Sequence, residues 1–274
     1  MTVTNVSSAS TASALPKALA DIREAMFGTF IWFYLAWQDT KQRYRRSMIG
    51  QFWITISTAI FVFAMGPLYG TLFNQPIGPY LQHVAVSFII WTFISSFINE
   101  SCMSFIGASG FIKEIKLPLT VHVLRVFAKN MIMLAHNSVV LVVVLIFLPP
   151  SQLGMLLLVP IGLFAVIGNM LWIGMVMAIL SARFRDVPQI VANFIQVAFF
   201  ISPIIWKADM LSEKNRYVAD LNPLYHLVEV VRTPLLGQAP ATLSWVVVFA
   251  MFAVGSLIAV SLFSRFRPRI AYWL

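Results

Sequence analysis

Residues 153–181 read LGMLLLVPIGLFAVIGNMLWIGMVMAILS, 29 positions without a charged side chain. A helix needs about 20 consecutive, mostly apolar residues to cross a bilayer. This stretch is therefore long enough to cross, with residues left over for tilt or for reaching past the hydrocarbon. Working outward, the same reading finds apolar runs at 52–73, 84–106, 128–148, 190–206 and 243–264, which makes six candidate spans. The fifth, 190–206, is short and ends in Ser202-Pro203, so it is expected to be broken or to reach only part of the way. Of the 274 residues 59% are hydrophobic and only 11% charged, with a mean hydropathy of +0.84. A soluble domain carries about 25% charged residues, and so few charges could not cover its surface. That excludes a cytosolic globular enzyme and a disordered chain. The single cysteine, Cys102, excludes a disulfide-stapled secreted domain and a cysteine metal cluster. The expected fold is an all-α membrane protein with six transmembrane helices. A single transmembrane domain over 16–264 follows a polar, disordered tail at 1–15 and precedes a basic cytoplasmic tail at 265–274. No secretory signal peptide is visible in the first residues.

Charge placement sets the orientation. Six basic residues precede the first span: Lys17, Arg23, Lys41, Arg43, Arg45 and Arg46. Lys113, Lys116, Arg125 and Lys129 follow the second span, Arg183 and Arg185 follow the fourth, and Arg265, Arg267 and Arg269 follow the last. All of these fall on the side that holds both termini. The opposite side carries only Lys207, Lys214, Arg216 and Arg232, offset by Asp209, Glu213, Asp220 and Glu229. By the positive-inside rule both termini are cytoplasmic. The net charge of +9 thus reads as topology, not as a nucleic-acid footprint, and no nucleic-acid partner is expected.

Two segments outside the spans look helical. Residues 27–37, FGTFIWFYLAW, are too short to cross and are flanked by charge. They suit a helix lying in the membrane interface, with Trp32, Tyr34 and Trp37 at headgroup level. The outer loop 207–242 keeps apolar residues at helical spacing: Leu221, Leu224, Leu227, Val228 and Val231. Asn222 as N-cap and Pro223 at the first position can open a helix there, and Pro234 and Gly237 can end it. A short amphipathic helix on the outer face is expected.

Few motifs carry chemistry. There is no GxxxxGK[ST] phosphate loop, no HExxH, no GxSxG and no Cys/His cluster, so neither nucleotide nor metal is expected on this chain. Glu100 is the one carboxylate inside an expected span. It is either a structural group satisfied by a neighbouring helix or a group that meets substrate. His136 carries the same two readings. The stretch Asp39-x-x-x-Arg43-Tyr44-Arg45-Arg46-Ser47-x-x-Gly50-x-x-Trp53 lies just before span one. Its arginines anchor the topology, and their guanidinium forks can also take a phospholipid or pyrophosphate headgroup. Residues 107–125, GASGFIKEIKLPLTVHVLR, mix apolar and basic side chains around Leu117-Pro118. They fit either a loop on the lipid surface or a short helix docking into a groove of a cytoplasmic partner. The 23 Phe, 8 Trp and 7 Tyr suit lipid, core and interface, and could equally stack on sugar rings. Gly66-x-x-x-Gly70 matches a close-packing motif, weakened by Pro67 inside it.

The order of these features, with the stretches YRRSMIGQFWITIS, LYGTLF, IKLPLTVHVLR, FRDVPQI, NPLYHLVEVVR and RIAYWL, resembles the membrane subunit of polysaccharide ABC exporters. These are the O-antigen and capsule permeases of the type-2 ABC family. The resemblance implies a homodimer in the bacterial cytoplasmic (inner) membrane, with two copies of a separate ATPase subunit that holds ATP and Mg. It implies that Phe111, Lys113, Glu114, Lys116, Leu117, Pro118, His122 and Arg125 form the segment coupled to that ATPase. Arg43, Tyr44, Arg45 and Arg46 would meet the lipid headgroup of a lipid-linked glycan. Asn222, Pro223, Tyr225, His226, Glu229 and Arg232 would belong to short periplasmic gate helices between spans five and six. A related permease for teichoic acid, lipo-oligosaccharide or a hydrophobic small molecule is the nearest alternative. A membrane-embedded glycosyl- or acyltransferase would require clustered His, Asp or Glu at a membrane boundary, and none is seen.

Overall fold

The computed structural model describes residues 14–43, 45–147 and 152–274. Among these residues there are helices and no strands. Helices α1 (Ala14–Phe27) and α2 (Thr29–Arg43) come first, followed by α3 (Phe52–Leu72), α4 (Ile77–Cys102), the short α5 (Ser109–Glu114) and α6 (Thr120–Phe147). A 3₁₀ turn (Leu153–Leu158) leads into α7 (Val159–Arg183), then α8 (Val187–Ile201), α9 (Tyr217–Asp220), α10 (Pro223–Leu235) and α11 (Thr242–Trp273). The helix expected over 27–37 is α2, which starts at Thr29 because Gly28 separates it from α1. The expected tail at 1–15 lies outside the described residues up to position 13, and Ala14 already opens α1. At the other end, residues 265–273 are the last turns of α11. Ile270 is buried, and the Trp273 ring lies 5.3 Å from the Arg183 guanidinium.

Among the described residues five helices are long and apolar enough to cross a membrane: α3, α4, α6, the 3₁₀ turn continuous with α7, and α11. The fifth expected span corresponds to α8, and its 15 residues rise only about 22 Å against a hydrocarbon layer of about 30 Å. Helix α4 runs through the centre of the bundle and is buried on most sides, with Ile89, Ile94 and Phe97 fully enclosed. Glycines bring its neighbours close. Gly174 meets the Phe97 ring, Gly255 of α11 meets Trp172, and Gly66 and Gly70 of the expected close-packing motif are buried against Leu81 and Tyr80.

Helix α10 departs most from expectation. The sequence pattern suggests one apolar face, yet every residue from Leu224 to Leu235 is buried. The helix is enclosed by α4, α7 and α11 instead of lying on a surface. Its ends follow the expected chemistry. Asn222 Oδ1 accepts from the Leu224 and Tyr225 amides at 3.0 and 3.4 Å. Gly237, at φ +80°, closes a Schellman turn in which its own N–H donates to Pro234 and that of Gln238 to Thr233, at 3.0 and 2.9 Å. Pro234 itself lies inside the last turn. The closest approach of a glycine to backbone is at Gly162 of α7, where a Cβ would stand 2.3 Å from the Val230 carbonyl oxygen of α10. Gly162→Ala is expected to destabilise the chain by about 1–3 kcal/mol, as overpacking against backbone does. Thermal unfolding in detergent checks this against Gly154→Ala, where nothing stands within 4 Å.

After α8 the chain leaves helical geometry at Ser202–Trp206 while Ser202 and Ile204 stay fully buried. Irregular backbone at membrane depth is tolerated only when its polar groups are satisfied from within. Here side chains supply the partners. Arg232 Nη1 donates to the Pro203 carbonyl at 2.5 Å, the Tyr80 hydroxyl donates to that of Ile205, and His83 Nε2 lies 3.3 Å from that of Trp206. Asn222 Nδ2 donates to Ser202 Oγ at 2.8 Å.

Candidate functional site

The basic end of the bundle holds a cleft of about 420 Å³ between α2, α4 and α6. Two carboxylates and three cations line it. Glu100 Oε1 accepts from Lys129 Nζ at 2.8 Å and from Arg43 Nη2 at 3.1 Å, while Oε2 accepts from Asn130 Nδ2 at 2.8 Å. Arg125 forks onto Asp39 through Nε and Nη2 at 2.6 and 2.5 Å, the bidentate geometry that suits a planar guanidinium. His122, 2% exposed, also lines the cleft, and its Nδ1 has no hydrogen-bond partner among the described residues. The cleft thus keeps one cationic charge in excess and one buried nitrogen free.

Asn99 lines this cleft and also a second, open groove of about 440 Å³ between α3, α4 and α8. On α4 the groove presents Phe88, Trp91, Thr92, Ser95 and Asn99, successive positions of one helical stripe. Across from it, α8 presents Gln196, Phe199 and Phe200. Aromatic faces pair along its walls, Phe61 on Phe88 with centroids 3.7 Å apart and Trp91 with Phe199 at 5.8 Å. Helix α8 is otherwise strongly apolar, yet Gln189, Asn193 and Gln196 recur at helical spacing and all three are exposed. Amides facing hydrocarbon would be costly, so this stripe calls for a wet or sugar-like neighbour. A groove of this make can hold a chain that offers hydroxyls to the amides and ring faces to the aromatics.

Residues 31–236, from within α2 to the cap of α10, match the family model described as ABC-2 type transporter. The chain belongs to the ABC-2 type transporter family. Two O-antigen export system permease proteins RfbA of Klebsiella pneumoniae are each 23% identical to this ABC-2 type chain. They align over 241 and 242 residues, which is 85% of it and 91% of each of them. A protein of the same name from Myxococcus xanthus is 18% identical over 196 residues, 71% of this chain and 75% of its own.

Within this ABC-2 type fold the expected site residues separate. Arg43 reaches into the cleft, while Arg45 and Arg46 are exposed in the turn beyond α2 and Tyr44 lies outside the described residues. Gly50, at φ +63°, lets that turn run into α3. Of the segment expected to couple, Phe111, Lys113, Glu114 and Lys116 stand exposed on and just after α5, and Leu117 and Pro118 are half-buried. His122 and Arg125 belong instead to α6 and face the cleft. Lys129, which sequence reasoning counted only as topology, lies one turn beyond Arg125 on the same face; that i, i+4 spacing was the available signal. Asp39, by contrast, was visible in its motif, but nothing there points to Arg125.

At the opposite end Tyr225, Glu229 and Arg232 line a pocket of about 410 Å³ with Lys207, Asp209 and Arg216. Arg232 pairs with Glu229 in near-complete burial and also donates to Ser87 Oγ at 3.1 Å. Burial, and after it the Glu229 carboxylate, push the Tyr225 phenol up to about 12, so it keeps its proton. His226 is fully used as a strap, with Nε2 2.8 Å from the Asp220 carbonyl and Nδ1 2.9 Å from Ser244 Oγ. Asn222 and Pro223 start α10, as expected.

Proposed function

We propose that this chain is the channel-forming subunit of an ATP-driven exporter that moves a lipid-linked polysaccharide of the O-antigen class across the bacterial cytoplasmic membrane. The observation that carries the reading is the groove between α4 and α8, where amide and hydroxyl stripes alternate with aromatic faces and one end opens into a cationic cleft. The family and the printed names of the relatives point the same way. In this reading α8 completes a set of six spans, both termini are cytoplasmic, and the open side of the groove is closed by a second copy of the chain. The cleft takes the anionic headgroup on Arg43 and Lys129 while the glycan follows along α4. The exposed residues of α5 and its exit dock on a cytoplasmic ATPase, two copies per dimer, which binds ATP and Mg. The segment from Ala208 to Leu235 gates the periplasmic side.

The test is reconstitution. A Walker-type ATPase is expected to co-purify with the chain, and vesicles holding both are expected to export lipid-linked glycan only with ATP. Lys113→Glu with Lys116→Glu, two exposed changes, is expected to weaken ATPase assembly at least tenfold, with membrane insertion unchanged. Unaltered assembly would remove α5 from the docking surface. Transport of glycan without any ATPase would remove the exporter reading altogether.

A further inference from the structure

Outside the cleft, the groove and the far pocket, Asp21 gathers four polar contacts on one carboxylate. Its residue lies at the centre of the buried face of α1, between Ala18 and Ala25, small residues that let the helix lie close to its neighbours. The carboxylate is fully enclosed and takes four hydrogen bonds. Oδ1 accepts from the Thr120 amide at 3.0 Å and from Thr120 Oγ1 at 2.9 Å. Oδ2 accepts from the Leu119 amide at 3.1 Å and from Arg267 Nε at 2.9 Å. Leu119 and Thr120 open α6, where the first amides have no partner within their own helix. Asp21 thus caps α6 from a different part of the chain, and its charge sits at the positive end of the helix.

This cap stands at one particular place. Only Ile115–Pro118 separate the end of α5 from Leu119. That link is short and braced, with the Leu117 amide donating to Ile115 at 2.9 Å and the Val121 amide to Pro118 at 3.1 Å. A displacement of α5 therefore reaches Leu119 with little slack. From there Asp21 passes it to α1 and, through Arg267, to the last turns of α11. Helix α2 is fastened one turn further along α6 by Asp39 on Arg125. Asp21 and Arg267 both lie outside the stretch matched by the family model, while Leu119 and Thr120 lie inside it.

We propose that Asp21 is a positioning residue for transport: it makes α1 move with the exit of the docking segment, so that a change at the ATPase is delivered to the interface helix. The inference rests on the proposed exporter reading. Asparagine cannot replace this carboxylate. Its amide nitrogen would face either the donors Leu119 N and Arg267 Nε or the donors of Thr120, so half of the joint opens while the packing around Ala18 and Ala25 is kept.

The experiment uses the full chain with its co-purified ATPase in lipid vesicles, in a Cys102→Ser background, with a fluorophore on Phe27→Cys. Phe27 ends α1 and is 80% exposed. With Asp21 in place, ATP is expected to shift the emission of the label. In Asp21→Asn the shift is expected to vanish and export per ATP hydrolysed to fall at least tenfold, with assembly and ATP hydrolysis within about twofold of the parent. Thr120→Val removes one of the four bonds without touching the carboxylate, and it is expected to lose part of the shift at full assembly. An unchanged shift or unchanged export per ATP in Asp21→Asn overturns the proposal. If Asp21→Asn does not assemble, an unchanged shift in Thr120→Val overturns it. Failure of the parent chain to bind an ATPase would instead strike the exporter reading.

Discussion

Arg232→Ala is expected to destabilise the folded chain by about 3–5 kcal/mol, the cost of leaving one member of a buried ion pair without the other. Arg232 is 4% exposed and does three things at once. It neutralises Glu229, donates to Ser87 on α4, and holds the Pro203 carbonyl of the irregular segment after α8. Alanine strands a largely buried carboxylate and the buried Pro203 carbonyl together. Thermal unfolding of the detergent-solubilised chain reads the loss. Glu229→Leu with Arg232→Met removes both charges at similar volume, and it is expected to regain the part of the stability lost to the stranded charge, while the Pro203 carbonyl stays without its donor. A single variant as stable as the parent would mean that the pair is solvated and that the far end is looser than its burial indicates.

Glu100→Gln is expected to act in the other direction, on affinity. The substitution keeps the shape and the bond from Asn130 but withdraws the charge that Arg43 and Lys129 now share. On the proposed reading a phosphate-bearing headgroup and Glu100 compete for these same two cations. A hydrogen bond to a charged group contributes about 1.5–3 kcal/mol, so removing the competitor is expected to tighten headgroup binding about tenfold or more. Release, and with it steady-state export, is expected to slow. The half-saturating concentration of lipid-linked glycan in stimulating ATP hydrolysis gives the first quantity, and export from vesicles the second. Weaker binding in Glu100→Gln would show that the carboxylate serves only to orient Lys129 and Arg43.

The spans were largely legible because length and apolar content are properties of contiguous sequence. Even the shortness of α8 is visible in the Ser202-Pro203 that ends it. The burial of α10 was not. Leu224, Leu227, Val228 and Val231 mark one apolar face, but the other face is made of Tyr225, His226, Glu229 and Arg232. Such a face reads as solvated until Ser244, Ser87 and Pro203 are brought to it from distant parts of the chain. The cleft was half legible. Arg43 and Glu100 each stand out singly, one as a headgroup-facing arginine and one as an intramembrane acid, yet 57 positions separate them and nothing local announces the pair. Asp21 was invisible for a related reason. An acid on an amphipathic helix normally faces water, and only the tertiary structure turns this one inward onto the amides of another helix.

The 15-residue α8 has a consequence for the lipid beside it. Among the described residues the five membrane-length helices run from 21 to 32 residues, about 32 to 48 Å, so α8 is much shorter than any of them. If α8 completes the set of six spans, as proposed, lipid that meets it must thin to match, at a cost of a fraction of a kcal/mol per ångström of mismatch. The same short helix carries the exposed amides Gln189, Asn193 and Gln196. On the proposed reading these amides have water or glycan beside them, not acyl chains. On that reading a charged group that slides along α8 has a shorter stretch of oil to traverse than it would along the membrane-length helices.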